Sequence, residues 1–439
     1  MSVNPLKANS GSLPRIYGRA EHGISRANIS PNAVRVLYRL REAGYRACLV
    51  GGGVRDLLLG REPKDFDVGT DAHPEEVRGL FRNCRLIGRR FRLAHVHFGR
   101  EIIEVATFRA PHDSEESEEH EAEMADGRIL RDNVYGTIEQ DAWRRDFTIN
   151  ALYYDIADFS VVDYTGGMED LRQGRLRLIG EPEVRYREDP VRLLRAVRFA
   201  AKLGFMLDDG TRLALKQFGP LLADVPPARL FDEVIKLFHA GHGLQTFEML
   251  RQYELFARLF PLTEHSLAQE EQGFPITFVA NALRNTDTRI RENKGVHPAF
   301  LYAVLLWEPV RHEAQRLVDA GESLLPALQQ AGAEVLARQA KQIMIPKRFS
   351  LVMREIWELQ PRLEQRRGAR ALRLLSHPRF RAAYDFYCLR AHSGEALQEG
   401  CAWWTKIQEL KPDEQRQMAE VGGSGAAKRR RRRRPRKRE

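Results

Sequence analysis

Residues 47 to 67 read Ala-Cys-Leu-Val-Gly-Gly-Gly-Val-Arg-Asp-Leu-Leu-Leu-Gly-Arg-Glu-Pro-Lys-Asp-Phe-Asp, an order that few backbone arrangements accept. Cys48, Leu49 and Val50 have the density of a short buried strand. Gly51 to Gly53 then make a turn, and Val54, Leu57 and Leu58 supply an apolar helical face. Glycines at such a turn let backbone N–H groups approach an anion without Cβ interference, and a helix N-terminus favours negative charge. The stretch reads as a phosphate cradle, with Gly51, Gly52 and Arg55 as candidate contacts. Asp65 and Asp67 follow, separated by Phe66. On a strand both carboxylates share one face while Phe66 points into the core, and carboxylate oxygens suit a hard cation such as Mg²⁺.

At 439 residues, 43% of them hydrophobic, the chain has material for several packed domains. It lacks an apolar segment of signal-peptide type and any run of roughly 18 apolar residues, so neither secretion nor a membrane-spanning helix is expected, and the cytoplasm is the expected compartment. Cys48, Cys84, Cys388 and Cys401 fall in no C-x-x-C spacing, and four reduced thiols are the simplest expectation. The net charge of +10 is concentrated: the segment from Lys428 to Glu439 carries ten positive charges and one negative. A nearly neutral folded part thus bears a tethered polycation, with Lys428, Arg429 and Arg430 at its start, suited to a polyanion.

Further along, Gly-Arg-Arg-Phe-Arg-Leu-Ala-His spans Gly88 to His95, and Glu-Ile-Ile-Glu-Val-Ala-Thr-Phe-Arg spans Glu101 to Arg109. The second run has the β-branched density of a strand, with Ile103 and Val105 on one side and Glu104 on the other. Glu104 is either a further acidic ligand or an ordinary edge glutamate, and Arg109 at the strand end is within reach of a triphosphate. Residues 113 to 123 are an acidic block expected to be a mobile loop. Arg144, Arg145 and Asp146 open a second block, Arg-Arg-Asp-Phe-Thr-Ile-Asn-Ala, whose guanidiniums suit phosphate oxygens and whose Asn150 suits a sugar hydroxyl. Asp189-Pro190 and Gly204 bracket a helix in which Asp189 and Arg192 are near neighbours, either a capped ion pair or a reader of a base edge. From about residue 205 the periodicity is helical, and Lys347, Arg348 and scattered aromatics there suit either RNA or plain scaffold.

The cradle, the Asp-Phe-Asp pair, the Arg-Arg-Asp-Phe-x-x-Asn-Ala block and Glu188-Asp189-x-x-Arg192 occur in the order that resembles class II nucleotidyltransferases, a family of bacterial poly(A) polymerases and CCA-adding tRNA enzymes. Gly88, Arg89, Arg90, Phe91 and His95 are similar to the run that distinguishes the polymerases. The resemblance implies an α+β fold, with a polymerase-β-like mixed sheet followed by an all-helical neck and body and a disordered basic tail. The expected boundaries are a leader over 1–28, disordered or an RNA-touching arm, a head over 29–180, a neck over 181–250, a body over 251–420 and a tail over 421–439. It implies AMP addition from ATP to single-stranded RNA 3′ ends, a step in RNA decay, with two Mg²⁺ ions on Asp65 and Asp67 and a third carboxylate from Asp146 or Glu104. ATP contacts fall to Gly51, Gly52, Arg55, Arg109, Arg144, Arg145, Asn150, Asp189, Arg192 and Arg195, and RNA contacts to Arg89, Arg90, Lys347, Arg348 and the tail. A monomer meeting RNA-degradation machinery is expected. The competing readings are a CCA-adding enzyme and, from a different class, an RNA-binding adaptor without catalysis.

Overall fold

A computed structural model describes residues 13–88, 92–110, 122–125, 128–132, 134–269 and 274–421. Its contacts divide the chain into one unit running to Val225 with Gln252–Leu255, and another comprising Pro226–Arg251 and the chain from Phe256 onward. Residues 181–250, expected as a neck, are shared between the two units at this division.

The first unit is built on a mixed eight-stranded sheet in the order β1-β10-β9-β2-β3-β6-β5-β4. Its strands are β1 (Arg15–Tyr17), β2 (Ala47–Val50), β3 (Asp67–Thr70), β4 (Cys84–Ile87), β5 (Leu93–Phe98), β6 (Glu101–Thr107), β9 (Leu152–Asp155) and β10 (Val161–Asp163). β7 (Ala122–Ala125) and β8 (Arg128–Asp132) pair separately as an antiparallel ribbon. Within the large sheet β3 and β6 run parallel, and the other pairs are antiparallel. β2 is buried along its whole length, as its apolar run demands, and Cys48 and Val50 join Phe108, Ala142, Ala151, Tyr153 and Val162 in one core cluster.

Helices α1 (Pro31–Glu42), α2 (Gly52–Leu58), α3 (Pro74–Leu80), α4 (Ile138–Arg144), α5 (Gly167–Gln173), α6 (Pro182–Glu188) and α7 (Val191–Leu203) belong to this unit. Ser30 caps α1 by accepting from the Asn32 N–H at 3.2 Å, with Pro31 at the first helical position, as the sequence indicates. Gly204, in the left-handed region at φ 73°, ends α7.

Two expectations are corrected. Residues 15–17, assigned to an unstructured leader, form β1, which pairs Arg15 with Asp163 and Tyr17 with Val161. Tyr17 is 1% exposed beneath the Arg15 and Arg172 guanidiniums, a burial that three residues are too few to reveal by periodicity. In the second unit Cys388 and Cys401 form a disulfide, with Cα atoms 5.1 Å apart, between the helices Phe380–His392 and Gln398–Glu409. Their thirteen-residue separation carries no motif, since the hairpin that unites them is tertiary. Cys48 and Cys84 are free, and burial pushes the Cys48 thiol up.

Candidate active site

Val50 ends β2, and Gly51 takes φ 69° and ψ −135°, a conformation closed to residues with a Cβ, before Gly52 opens α2. A Cβ on Gly51 would also lie 3.3 Å from Nη1 of Arg145, so that guanidinium sits directly over the glycine turn. α2 has only seven residues, and the cradle owes more to this arginine than to a helix dipole.

Asp67 begins β3 and is in register with Val50 on one side and Glu104 on the other. Asp65 and Phe66 lie before the strand, so the expected alternation does not set Asp65; it is an exposed loop carboxylate beside a cavity of about 940 Å³ that Lys64, Arg61 and Arg100 also line. Burial, then the neighbouring Glu104 and Asp65 charges, push the Asp67 carboxyl up to about 6, against the opposing pull of Arg145 and His95. His95 on β5, in register with Glu104 on β6, places Nε2 3.3 Å from the Glu104 Oε2. Ile103 and Val105 point to the core, which leaves Glu104 on the opposite face as its strand pattern required.

The Arg-Arg-Asp block comes at a helix end. Thr137 caps α4, Arg144 is its last residue and Arg145 its C-cap, where the carbonyl end of the helix favours positive charge. Nε of Arg145 donates to Asp141 and to the Tyr153 hydroxyl, both at 2.9 Å, while the Tyr153 O–H donates to the same Asp141 oxygen at 2.7 Å. Arg185, 3% exposed on α6, donates from Nη2 to the carbonyls of Arg144 and Arg145, each at 2.6 Å, and thereby fixes this corner. Burial draws its pKa down to about 10.

Asp146 has a set of partners of its own. Its Oδ1 accepts from the Phe147 N–H at 2.8 Å and from Asn150 at 3.2 Å, and its Oδ2 accepts from Nε of Arg195 at 2.6 Å. Burial opposes its ionisation, but Arg195 and these hydrogen bonds outweigh it and hold the carboxyl at about 2. Asn150, expected at a sugar, spends both ends of its amide internally, since its Oδ1 accepts from Nη1 of Arg55 at 2.7 Å. Arg55 is likewise engaged: Nε and Nη2 go to Asp56 at 2.8 and 2.7 Å, and the group is 2% exposed. In this arrangement α2 turns the Arg55 side chain inward over Phe199.

Glu188 ends α6, Asp189 turns the chain and α7 starts at Val191, so the expected N-cap role of Asp189 shifts: its Oδ1 accepts from the Val191 N–H at 3.3 Å. Arg192 pairs with Glu188 at 2.8 Å rather than with Asp189, and donates to the Arg185 carbonyl at 2.7 Å. Arg109 donates its backbone N–H to Asp141 at 3.3 Å, which ties the β6 end to the Arg145 network. Lys347 and Arg348 are exposed at the start of the helix Lys347–Leu363 in the second unit. Arg89, Arg90, Lys428, Arg429, Arg430 and most of the acidic block lie outside the described residues. Asp141, Tyr153 and Arg185 were missed; only Asp141, four residues before Arg145, left a local signal.

The donors Asp65, Asp67 and Glu104 are all oxygen, the kind a hard ion takes, and the Glu104 and Asp65 charges add to the burial that raises Asp67. Among the described residues no three His, Cys, Asp or Glu converge closely enough to form a metal-holding group. No helix among them is long and apolar enough to cross a membrane.

Three family models match the chain: "Poly A polymerase head domain" over residues 47–177, "Probable RNA and SrmB- binding site of polymerase A" over 204–267 and "Polymerase A arginine-rich C-terminus" over 320–438. Poly(A) polymerase I of Salmonella typhimurium is 52% identical over 96% of this chain and 92% of its own length. The Haemophilus influenzae poly(A) polymerase I is 45% identical over 91% and 89%. A CCA-adding enzyme of Lactobacillus helveticus is 38% identical over only 51% of the chain and 53% of its own length. Among solved structures, a tRNA-processing enzyme in its apo form I aligns with TM-score 0.63 at 23% identity, covering 91% of this chain and all of that one, a likeness of fold.

Proposed function

The chain belongs to the poly(A) polymerase I family and is a polynucleotide adenylyltransferase, and from that membership we propose that its head transfers AMP from ATP to the 3′-hydroxyl of single-stranded RNA at Asp65 and Asp67. CCA-adding enzymes are distant relatives. The observation that carries the reading is the register of Asp67 with Glu104, beside an Arg145 held over Gly51.

Asp65, Asp67 and Glu104 are the groups that would hold two Mg²⁺ ions, and Asp146, committed to Arg195, is not. When bound, such ions lower the pKa of the attacking hydroxyl and neutralise the triphosphate. Arg145, fixed by Asp141 and Tyr153, presents its charge to the triphosphate without reorganisation, joined by Arg109 and Arg144. Gly51 and Gly52 leave room for phosphate oxygens at the turn. Arg192, immobilised by Glu188, and Asp189 select adenine by a planar set of donors and acceptors. The RNA 3′-oxygen attacks the α-phosphorus, the bond to the bridging oxygen breaks and pyrophosphate leaves. Catalysis rests on placement and charge neutralisation.

Incubation with each nucleoside triphosphate alone and with all four together, using an unstructured RNA and a tRNA lacking its 3′ end, tests the reading. Long tails from ATP alone on the unstructured RNA are expected. A stop after three nucleotides on the tRNA would mark a CCA-adding enzyme, and unchanged product from the Asp65→Ala, Asp67→Ala double variant would refute the site.

A further inference from the structure

Resting on the RNA-acceptor reading above, we infer that a basic pocket in the helical unit is a binding subsite for the phosphodiester backbone of single-stranded RNA. The helix Lys347–Leu363 carries Arg362 in its last turn, and the helix Gly368–Leu375 follows after a short connection. Leu363, Ala371 and Leu374 enter the same core cluster, which anchors both helices from within. Arg370 and Arg373, three residues apart, then share the exposed side of the second helix. Between the helices lies a cavity of about 440 Å³ lined by Arg362, Gln365, Arg370, Arg373, Leu374 and His377.

The lining contains three guanidiniums and no carboxylate. Neighbouring arginines show what neutralisation looks like here: Arg366 pairs with Glu399 at 3.1 Å, Arg379 with Glu355 at 2.7 Å and Arg381 with Asp385 at 3.1 Å. Among the described residues no acidic side chain is in ion-pair distance of Arg362, Arg370 or Arg373. His377 accepts the Arg379 backbone N–H on Nδ1 at 3.1 Å, so its Nε2 carries the hydrogen and adds another donor. The set is rich in donors and short of acceptors, which complements phosphodiester oxygens, and guanidiniums match them in bidentate fashion. The volume falls in the range of ligand pockets, and Leu374 gives it an apolar floor. A single-stranded RNA acceptor is the polyanion the activity supplies, and the pocket residues are separate in sequence from the segment 204–267 matched by the RNA-binding family model.

The test compares the full chain with its Arg370→Gln, Arg373→Gln variant. Fluorescence anisotropy of an oligo(U) of about 20 nucleotides is followed from about 50 to about 300 mM KCl. Both side chains are exposed, so the thermal midpoint and AMP addition to a primer of a few nucleotides are expected to be unchanged. The variant should bind roughly tenfold more weakly at low salt, with a salt slope shallower by about 1.4 for two lost phosphate contacts. Equal affinities and parallel slopes would overturn the assignment. Inorganic phosphate, followed through the Arg370 and Arg373 side-chain resonances, distinguishes a free-anion site: saturation by phosphate while oligo(U) leaves those resonances unmoved would also overturn it. Absence of AMP addition by the unaltered chain would strike the underlying reading alone, since anisotropy decides the pocket independently.

Discussion

Arg145 and Arg370 carry the same guanidinium and are used in opposite ways. Arg145 is clamped by Asp141, Tyr153 and the Asn150 carbonyl over Gly51, whereas Arg370 stands exposed beside an open cavity with no carboxylate in its lining. A clamped charge has already lost its side-chain entropy and is aimed, so it can favour one arrangement of phosphates over another. An exposed one attracts any phosphate chain and is weakened by salt. The chain separates aiming from holding by the company each arginine keeps.

The largest effect should come from the carboxylates that the clamped arginine faces. Asp67→Asn should reduce AMP addition by roughly a thousandfold or more while leaving oligo(U) affinity unchanged, as measured by primer extension and anisotropy. A parallel loss of both would erase the division between aiming and holding. Next, Asp141→Asn leaves the Arg145 charge uncompensated in a largely buried place, and should cost about 2–3 kcal/mol in denaturant unfolding and raise KM for ATP. Tyr153→Phe removes one hydrogen bond to the same oxygen and should cost only about 1 kcal/mol.

Two aspartates sharpen the comparison through pH. Asp146 lies at about 2 in the fold against 3.8 ordinarily, so the unfolded chain binds its proton first as acid is added. Its stabilisation, on the order of 2 kcal/mol, is complete above about pH 5 and lost as pH falls through 3.8 to below about 2. Arg195→Gln should make acid unfolding begin at higher pH. Asp67 is shifted the other way: in metal-free protein its carboxyl should titrate near 6 by NMR, and added Mg²⁺ should move that midpoint down. A midpoint indifferent to Mg²⁺ would remove Asp67 from the ligand set. The smallest effect is expected for Arg348→Gln, on an exposed helix start, with less than about twofold change in RNA affinity at high salt.

Local grammar made the strand, glycine turn and helix of residues 47 to 58 readable, and likewise the capped α1 and the α7 stop at Gly204. The face assignment of Glu104 also followed, because alternation along a strand is a local property. Partnerships were not legible where they join distant segments. Arg55 meets Asn150 across 95 residues and Arg195 meets Asp146 across 49, pairings that no local pattern announces. Arg192 had two acidic neighbours within one helical turn, and the backbone turn at Asp189 decided for Glu188. Cys388 and Cys401 illustrate the same limit, since their proximity exists only once two helices pack.

The edge strand β1 has a further consequence in the order of synthesis. Arg15 is made early, but its partner Asp163 follows about 150 residues later, roughly 7–30 s at ordinary elongation rates. β2 and β3, whose residues Val50 and Asp67 pair across a short segment, can associate long before that. The nascent chain therefore carries Tyr17 unpaired while the carboxylate strand can already assemble, and because β4, β5 and β6 are also made before β9 and β10, the sheet is completed toward the β1 edge, with the first-made strand among the last to dock.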